Sequence, residues 1–386
     1  MCRYWRDAII SAPDNWTLIS NQNLRLMAVS LERARAVPLT VHLTLGRNPR
    51  GLDLLMPHIG SIETLHAEGF STLGELNRAL PDFPRSTPDI QSLTLAKSGQ
   101  VSQAESAEPF ESSAHTLRHL TLRNIPLYPS FLRLRTLTQF SLTNYDLNLP
   151  LDSLLKFLKE NPSLGDVHSD FRFAGLGFRC SENQEPIKTC IRSSRVSSHN
   201  PTDTEAFISR LALPRGAHLD ICSYNENVGL NLILSDNSVT HLRNLSSPVF
   251  MNYIDDHGDI SIQLQGSDGS FHFRGFANPL GRFAELALFP LRSIQELYLK
   301  YRMYKLSVPG ILFPSYFPSL ETLAIDGCPR LSHLLSIFFS DPASNPDILG
   351  PCYHQTVPED VEAVRIRSPD YDLYAAPSRH HRHHSN

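Results

Sequence analysis

Leu117-Arg-His-Leu120-Thr-Leu122 places an aliphatic residue, two others, a second aliphatic, any residue and a last apolar one in six positions. The same order returns at Ile90-x-x-Leu93-x-Leu95, Leu137-x-x-Phe140-x-Leu142, Ile294-x-x-Leu297-x-Leu299 and Leu320-x-x-Leu323-x-Ile325. Two copies are weaker. Ile62-x-x-Leu65 ends on Ala67, and Leu164-x-x-Val167 ends on the polar Ser169. From Ile62 onward the copies begin 28, 27, 20, 27, 130 and 26 residues apart, and 130 is five times 26. A fixed period near 26 marks a stacked repeat.

Alternate side chains of a strand face one side. The last two apolar residues of each copy therefore point into one core. So short a strand cannot bury its stripe alone; stacked copies bury it together, and stability becomes roughly a sum over neighbours. The expected fold is α/β, a leucine-rich-repeat solenoid (a horseshoe) with parallel strands on the concave face and helices and loops on the convex face. Its expected span is 20–349, irregular over 170–290. Residues 1–19 form a separate N-terminal piece, and 350–386 hold a candidate last strand at Val361-x-x-Val364-x-Ile366 and a disordered His-rich tail.

Composition narrows the function. The chain has 386 residues with a net charge of −4, so the basic footprint of a nucleic-acid or anionic-membrane binder is absent. Its six cysteines never form C-x-x-C, which gives neither a zinc nor a redox spacing and suits reduced thiols in the cytoplasm or nucleus. No apolar run approaches the length of a membrane span, and Met-Cys-Arg-Tyr-Trp-Arg-Asp does not read as a signal peptide.

Outward from the repeats, residues 1–19 read as a short helix ending near Pro13, then a turn carrying Trp16. Leu24–Ala36 has helical spacing and stops at Pro38, and Leu39-Thr-Val41-His-Leu43-Thr-Leu45 alternates as the first strand. Thr72-Leu-Gly-Glu75 and Thr202-Asp-Thr-Glu205 have capping-box spacing. Asp152 reads as an N-cap ahead of Leu154, Leu155 and Leu158, with Pro162 as the stop, and Leu331–Phe339 repeats that theme. Leu219-x-Ile221, Val239-x-x-Leu242, Ile260-x-Ile262-x-Leu264 and Phe271-x-Phe273 read as strands of the irregular part, with Ser267-Asp-Gly-Ser270 as a hairpin turn. The polar stretches Gln100–Glu111 and Ser181–Pro201 read as surface loops.

The residues between the apolar positions face the concave sheet. They are Ser92 and Thr94; His119, Thr121 and Arg123; Gln139, Ser141 and Thr143; Asp166, His168 and Asp170; Glu296, Tyr298 and Lys300; Thr322 and Asp326. Polar and mixed in sign, they suit a protein client better than a polyanion. The alternative is a merely solvated face. Asp255-Asp-His257-Gly-Asp259 reads as a polar turn rather than a cation site, and His380-His-Arg-His-His384 as an adventitious metal binder in a loose tail. No G-x-S-x-G, H-E-x-x-H or phosphate-loop motif occurs, and Gly175-Leu-Gly177 is isolated. Neither a catalytic residue nor a cofactor or metal is therefore expected.

Cys2-Arg-Tyr-Trp5-Arg6-Asp-Ala-Ile-Ile-Ser-Ala-Pro13-Asp-Asn-Trp16 resembles the last helix and exit turn of an F-box, as found in fungal F-box/leucine-rich-repeat proteins. Leu31-Glu-Arg33-Ala-Arg-Ala-Val-Pro38 is similar to that family's approach to its first strand. Leu134-Arg-Thr-Leu-Thr, Arg215-Gly-Ala-His-Leu, Thr240-His-Leu-Arg-Asn-Leu and Phe317-Pro-Ser-Leu-Glu-Thr-Leu-Ala-Ile look like the family as well. The resemblance implies client recognition for an SCF-type ubiquitin ligase, with the F-box on a Skp-type adaptor and the ubiquitin chemistry on other subunits. The sequence departs from the family in starting close to Trp5, where the family has further F-box helices upstream. It is thus a truncated form or a copy that cannot join a ligase, and the alternative role is an interaction scaffold with no ligase link. Trp5, Arg6, Pro13 and Trp16 are then the F-box remnant, and the alternative for Trp5 and Trp16 is a cover for the open end of the core.

Overall fold

Val41, Leu65, Leu93, Leu120, Phe140 and Val167 stand side by side, each the direct partner of the next across neighbouring strands. The computed structural model describes residues 2–46, 50–79, 90–99, 116–125, 127, 131–144, 151–171, 186–198, 201–224, 230, 233–234, 242, 245–256, 259–276, 289–301, 317–326 and 363–366. The chain is α/β, a large, mainly parallel sheet with few helices.

In chain order the first strands are β1 (Leu18–Ser20), β2 (Leu39–Thr44), β3 (Ile62–Phe70), β4 (Ser92–Lys97), β5 (His119–Arg123), β6 (Gln139–Asn144) and β7 (Asp166–Phe171). Then come β8 (Ile187–Lys188), β9 (Ser193–Ser198), β10 (Leu211–Ala212) and β11 (Ala217–Ser223). The last are β12 (Pro248–Asp256), β13 (Asp259–Gly266), β14 (Gly269–Phe276), β15 (Glu296–Tyr301), β16 (Thr322–Asp326) and β17 (Ala363–Ile366). The helices are α1 (Arg3–Ser11), α2 (Leu24–Ala34), α3 (Arg50–Leu55), α4 (Leu73–Ala79), α5 (Leu151–Glu160) and α6 (Pro201–Ile208).

Fifteen strands form one sheet in the order β1-β2-β3-β4-β5-β6-β7-β9-β11-β14-β13-β12-β15-β16-β17, and β8 and β10 pair separately. From β1 to β11 every neighbour in the large sheet is parallel. The apolar column begun at Val41 continues through Ser194, Leu219, Phe271, Leu264, Met251, Leu297 and Leu323. All of these residues are buried and give the sheet one apolar face. Two serines interrupt it. Ser169 Oγ donates to the Arg195 carbonyl at 3.3 Å, whereas Ser194 Oγ is buried with no hydrogen-bond partner among the described residues.

A recurring stitch ties neighbouring copies together. Thr116, just before Leu117, donates its hydroxyl to the Ile90 carbonyl at 2.8 Å; Thr136, just before Leu137, donates to the Leu117 carbonyl at 2.7 Å. Each hydroxyl satisfies a carbonyl that the short strand leaves unpaired. Ser293, just before Ile294, donates in the same way to the Pro248 carbonyl at 2.7 Å.

Helices α2 to α6 pack on the apolar core, whereas α1 buries none of its residues. Asn23 caps α2 by accepting from the Leu26 amide at 3.1 Å, and Met27, Leu31 and Ala34 are buried. Leu154, Leu155, Phe157 and Leu158 bury one side of α5, and Phe157 lies 4.7 Å from Phe140 between ring centroids. Asp152 sits inside the first turn of α5 rather than at its cap. The box at α4 forms with a shift: Thr72 Oγ1 accepts from the Glu75 amide, and Glu75 accepts from Ser71. Thr202 lies one residue inside α6, whose first residue is Pro201, so the second expected box is displaced.

The largest departures lie between 181 and 276. Ser181–Pro201 contains β8 and β9 where a surface loop is expected. The reason is that Ser193-Ser-Arg-Val-Ser-Ser198 carries one aliphatic residue, and the sheet pairs it through its backbone. β12 was not anticipated either. It opens a meander in which β13 is antiparallel to both neighbours, with β14 rather than β12 lying beside β11. A uniform 26-residue ladder of parallel strands therefore does not run through this part. The hairpin turn at Ser267–Asp268 and the strands at 219–221, 260–264 and 271–273 stand as expected. β17 pairs parallel with β16 through Val364 and Ile366. Val239, Leu331–Phe339, Gln100–Glu111 and the His-rich tail lie outside the described residues.

Candidate binding face

Opposite the apolar face, the alternate residues of every strand line up in rows. His119, Thr121 and Arg123 are the partners of Gln139, Ser141 and Thr143, which in turn meet Asp166, His168 and Asp170. Ser92 and Thr94 extend two of these rows into β4. All eleven are exposed or half-buried between buried neighbours, so the expected face is one face. Glu296, Tyr298 and Lys300 form a second group with Thr322 and Asp326 in register beside them. β9, β11, β14, β13 and β12 separate the two groups.

Those intervening strands carry the charged centre that the sequence reading missed. The row His168–Arg195–Asp220–His272 runs in direct register across β7, β9, β11 and β14. The Asp220 side chain is 4 % exposed. Its Oδ2 accepts from Arg195 Nε at 2.7 Å and from an Arg274 terminal nitrogen at 3.1 Å. His272 Nδ1 stands 3.4 Å from Oδ1. Burial pushes the Asp220 carboxyl up, but the Arg195 hydrogen bond and the charges of Arg274, Arg195 and His272 outweigh it and hold the carboxyl below its ordinary value. Burial leads in lowering His168 and His272; Arg195 adds to it at His168, and Asp220 opposes it at His272. Both imidazoles thus resist protonation.

A depression of about 500 Å³ lies beside this centre, lined among others by His119, Gln139, Asp166, His168, Arg195, His218 and Asp220. Gln139 Nε2 donates to Asp166 at 3.3 Å, and His218 Nδ1 is 2.7 Å from Ser270 Oγ. His272 Nε2 is 3.0 Å from Ser261 Oγ. Serine, imidazole and carboxylate therefore follow one another as in a nucleophile relay. Yet no hydrogen bond joins His272 to Asp220, whose charge is committed to two guanidiniums.

At the N-terminal end, Trp5 is 62 % exposed and α1 buries none of its residues, so Trp5 does not cover the core. Arg6 makes a surface ion pair with Asp7 at 3.6 Å. Pro13 opens the short 3-10 helix that ends on Trp16. Trp16 does pack against the core; its Nε1 donates to the Ile10 carbonyl at 3.3 Å, and the Arg33 guanidinium lies 4.5 Å from the ring centre. Asp255 and Asp256 end β12, Asp259 starts β13, and His257 between them lies outside the described residues. Among the described residues, no three His, Cys, Asp or Glu side chains gather as a metal site. No described helix is long and apolar enough to cross a membrane.

No protein-family model matches the chain, and no curated protein sequence matches it.

Proposed function

We propose that the chain is a leucine-rich-repeat solenoid whose polar sheet face holds a protein client, and that its N-terminal segment links it to an SCF-type ubiquitin ligase. One observation carries the reading: the polar residues of β4 to β7 stand in unbroken register on a face whose reverse is the shared core. A row of mixed-sign, hydrogen-bonding side chains suits a protein surface. The Thr stitches between copies support the repeat reading. The exposed Tyr4, Trp5, Ile9 and Ile10 of α1 support the adaptor link, since they leave a short helix with large apolar side chains at the surface.

The client-holding half of the proposal does not depend on α1, so a scaffold without a ligase link is the second reading. A pull-down with a recombinant Skp-type adaptor separates the two. Capture that disappears in Trp5→Ala supports the ligase link; failure of the unmodified protein to capture adaptor leaves the scaffold. For the client half, Arg123→Glu and Lys300→Glu should each reduce client capture, while Arg25→Glu on α2 should leave it intact. Equal capture by all three sinks the assignment of this face.

A further inference from the structure

We propose that Arg195 and Arg274, held side by side by the buried Asp220, form a docking point for a side-chain or terminal carboxylate of an acidic peptide. The inference rests on the reading that this sheet face takes a protein partner, and it names the chemistry the partner must present there.

The geometry argues it in three steps. First, Asp220 is a fixed base and not itself a recognition group: its carboxylate is almost fully buried, and its Oδ2 already accepts two charge-assisted hydrogen bonds. Second, each guanidinium gives Asp220 a single contact, by Nε of Arg195 and a terminal nitrogen of Arg274, and the two side chains remain 48 % and 47 % exposed. A guanidinium has five N–H donors in a rigid fork. Each guanidinium thus has further N–H donors beyond the one it gives Asp220, on a sheet face with a depression beside Arg195. Ordering two arginines in this way removes the rotamer cost that usually weakens a surface guanidinium as a ligand.

Third, the charge balance selects the anion. At Asp220 itself, two guanidiniums against one carboxylate leave a single positive charge. The flanking His168 and His272 add none while neutral, and burial lowers both below the ordinary imidazole value. Asp166 on the same depression opposes any larger negative charge. A monoanionic carboxylate matches this balance, whereas a phosphate dianion, which suits the same fork, exceeds it.

The test is fluorescence anisotropy with labelled hexaglutamate at low ionic strength, with hexaglutamine as the uncharged comparison. The net charge of −4 works against binding an acidic peptide anywhere by general attraction. The proposal expects hexaglutamate to bind and hexaglutamine not to. Arg195→Gln and Arg274→Gln should each weaken binding about tenfold, the worth of one hydrogen bond to a charged group. Arg25→Gln should leave it unchanged. No binding by the unmodified protein, or binding by the Arg195→Gln and Arg274→Gln variants as tight as that of the unmodified protein, overturns the proposal. If either variant melts below the assay temperature, a chloride titration of the unmodified protein decides: binding that is insensitive to salt overturns it. Inorganic phosphate separates the two anions, since displacement at concentrations equal to the peptide's refutes the carboxylate assignment. Failure of this assay with client capture still sensitive to Arg123→Glu removes the docking point and leaves the client face standing.

Discussion

β4 to β7 and β9 to β14 belong to one sheet and share one apolar column, yet they are built differently. In the first region β4, β5 and β6 each announce themselves with two aliphatic or aromatic residues at alternate positions, as in Leu93 and Leu95 or Leu120 and Leu122, with Ser169 of β7 the exception, and the polar face carries mostly neutral hydroxyls and amides. In the second, Ser194 enters the core column, the strand order inverts, and the polar face concentrates Arg195, Asp220, His272 and Arg274. The contrast shows that a regular apolar period secures the stack, while the face can depart from that period where adjacent strands hold one another through charge.

The sharpest break falls on the first region. Leu120→Asp places an unpaired carboxylate in the core column, at a cost of several kcal/mol, and should abolish cooperative folding of the adjacent strands. Thr121→Asp, one residue on and facing solvent, should leave the thermal melt almost unchanged. Equal damage by the two refutes the assignment of faces. Next in size, Phe273→Ala empties a fully buried site in the meander and should cost about 3–5 kcal/mol in chemical denaturation. A loss below about 1 kcal/mol would mean that this meander does not share the common core, since even one buried methylene is worth nearly that.

Asp220→Asn should lower the melting temperature by less than Phe273→Ala, because arginine contacts can persist. Its pH dependence identifies the cause. A carboxyl with a lowered folded pKa contributes stability that is fully present above its unfolded value, about 3.9, and is lost as pH falls through the folded value. The advantage of the native protein over Asp220→Asn should hold at neutral pH and vanish in strong acid. An advantage that persists unchanged in acid argues for packing and against charge. The smallest effect concerns His168 and His272. Their folded pKa values are lowered, so the unfolded chain takes up protons first as pH drops below about 6.5, and stability present above that value declines toward the lowered folded values. Melts between about pH 8 and pH 5 should show this decline, reduced in a His168→Gln, His272→Gln double variant.

Much of the first region is legible in the sequence because burial there is apolar and period two is visible wherever Leu, Ile, Val or Phe supplies it. Ser193–Ser198 is illegible for the opposite reason: its strand is held by backbone partners on both sides, and only Val196 marks an apolar face. Neighbour order in the meander is not encoded by alternation at all, since Leu219, Phe271 and Met251 would suit any adjacent strand. Part of the charged centre was within reach. Leu219-x-Ile221 and Phe271-x-Phe273 read as strands, which puts Asp220 and His272 on the polar face by alternation alone; what the sequence withholds is that β14 lies against β11 and so brings them together.

The inverted meander also has a consequence for synthesis on the ribosome. β11 is complete at Ser223, but its partner β14 does not begin until Gly269, after β12 and β13 have emerged. A nascent chain therefore carries an open, sticky sheet margin through that whole interval, and the natural order of events is for the β12–β14 hairpins to close on themselves and then dock as a finished unit.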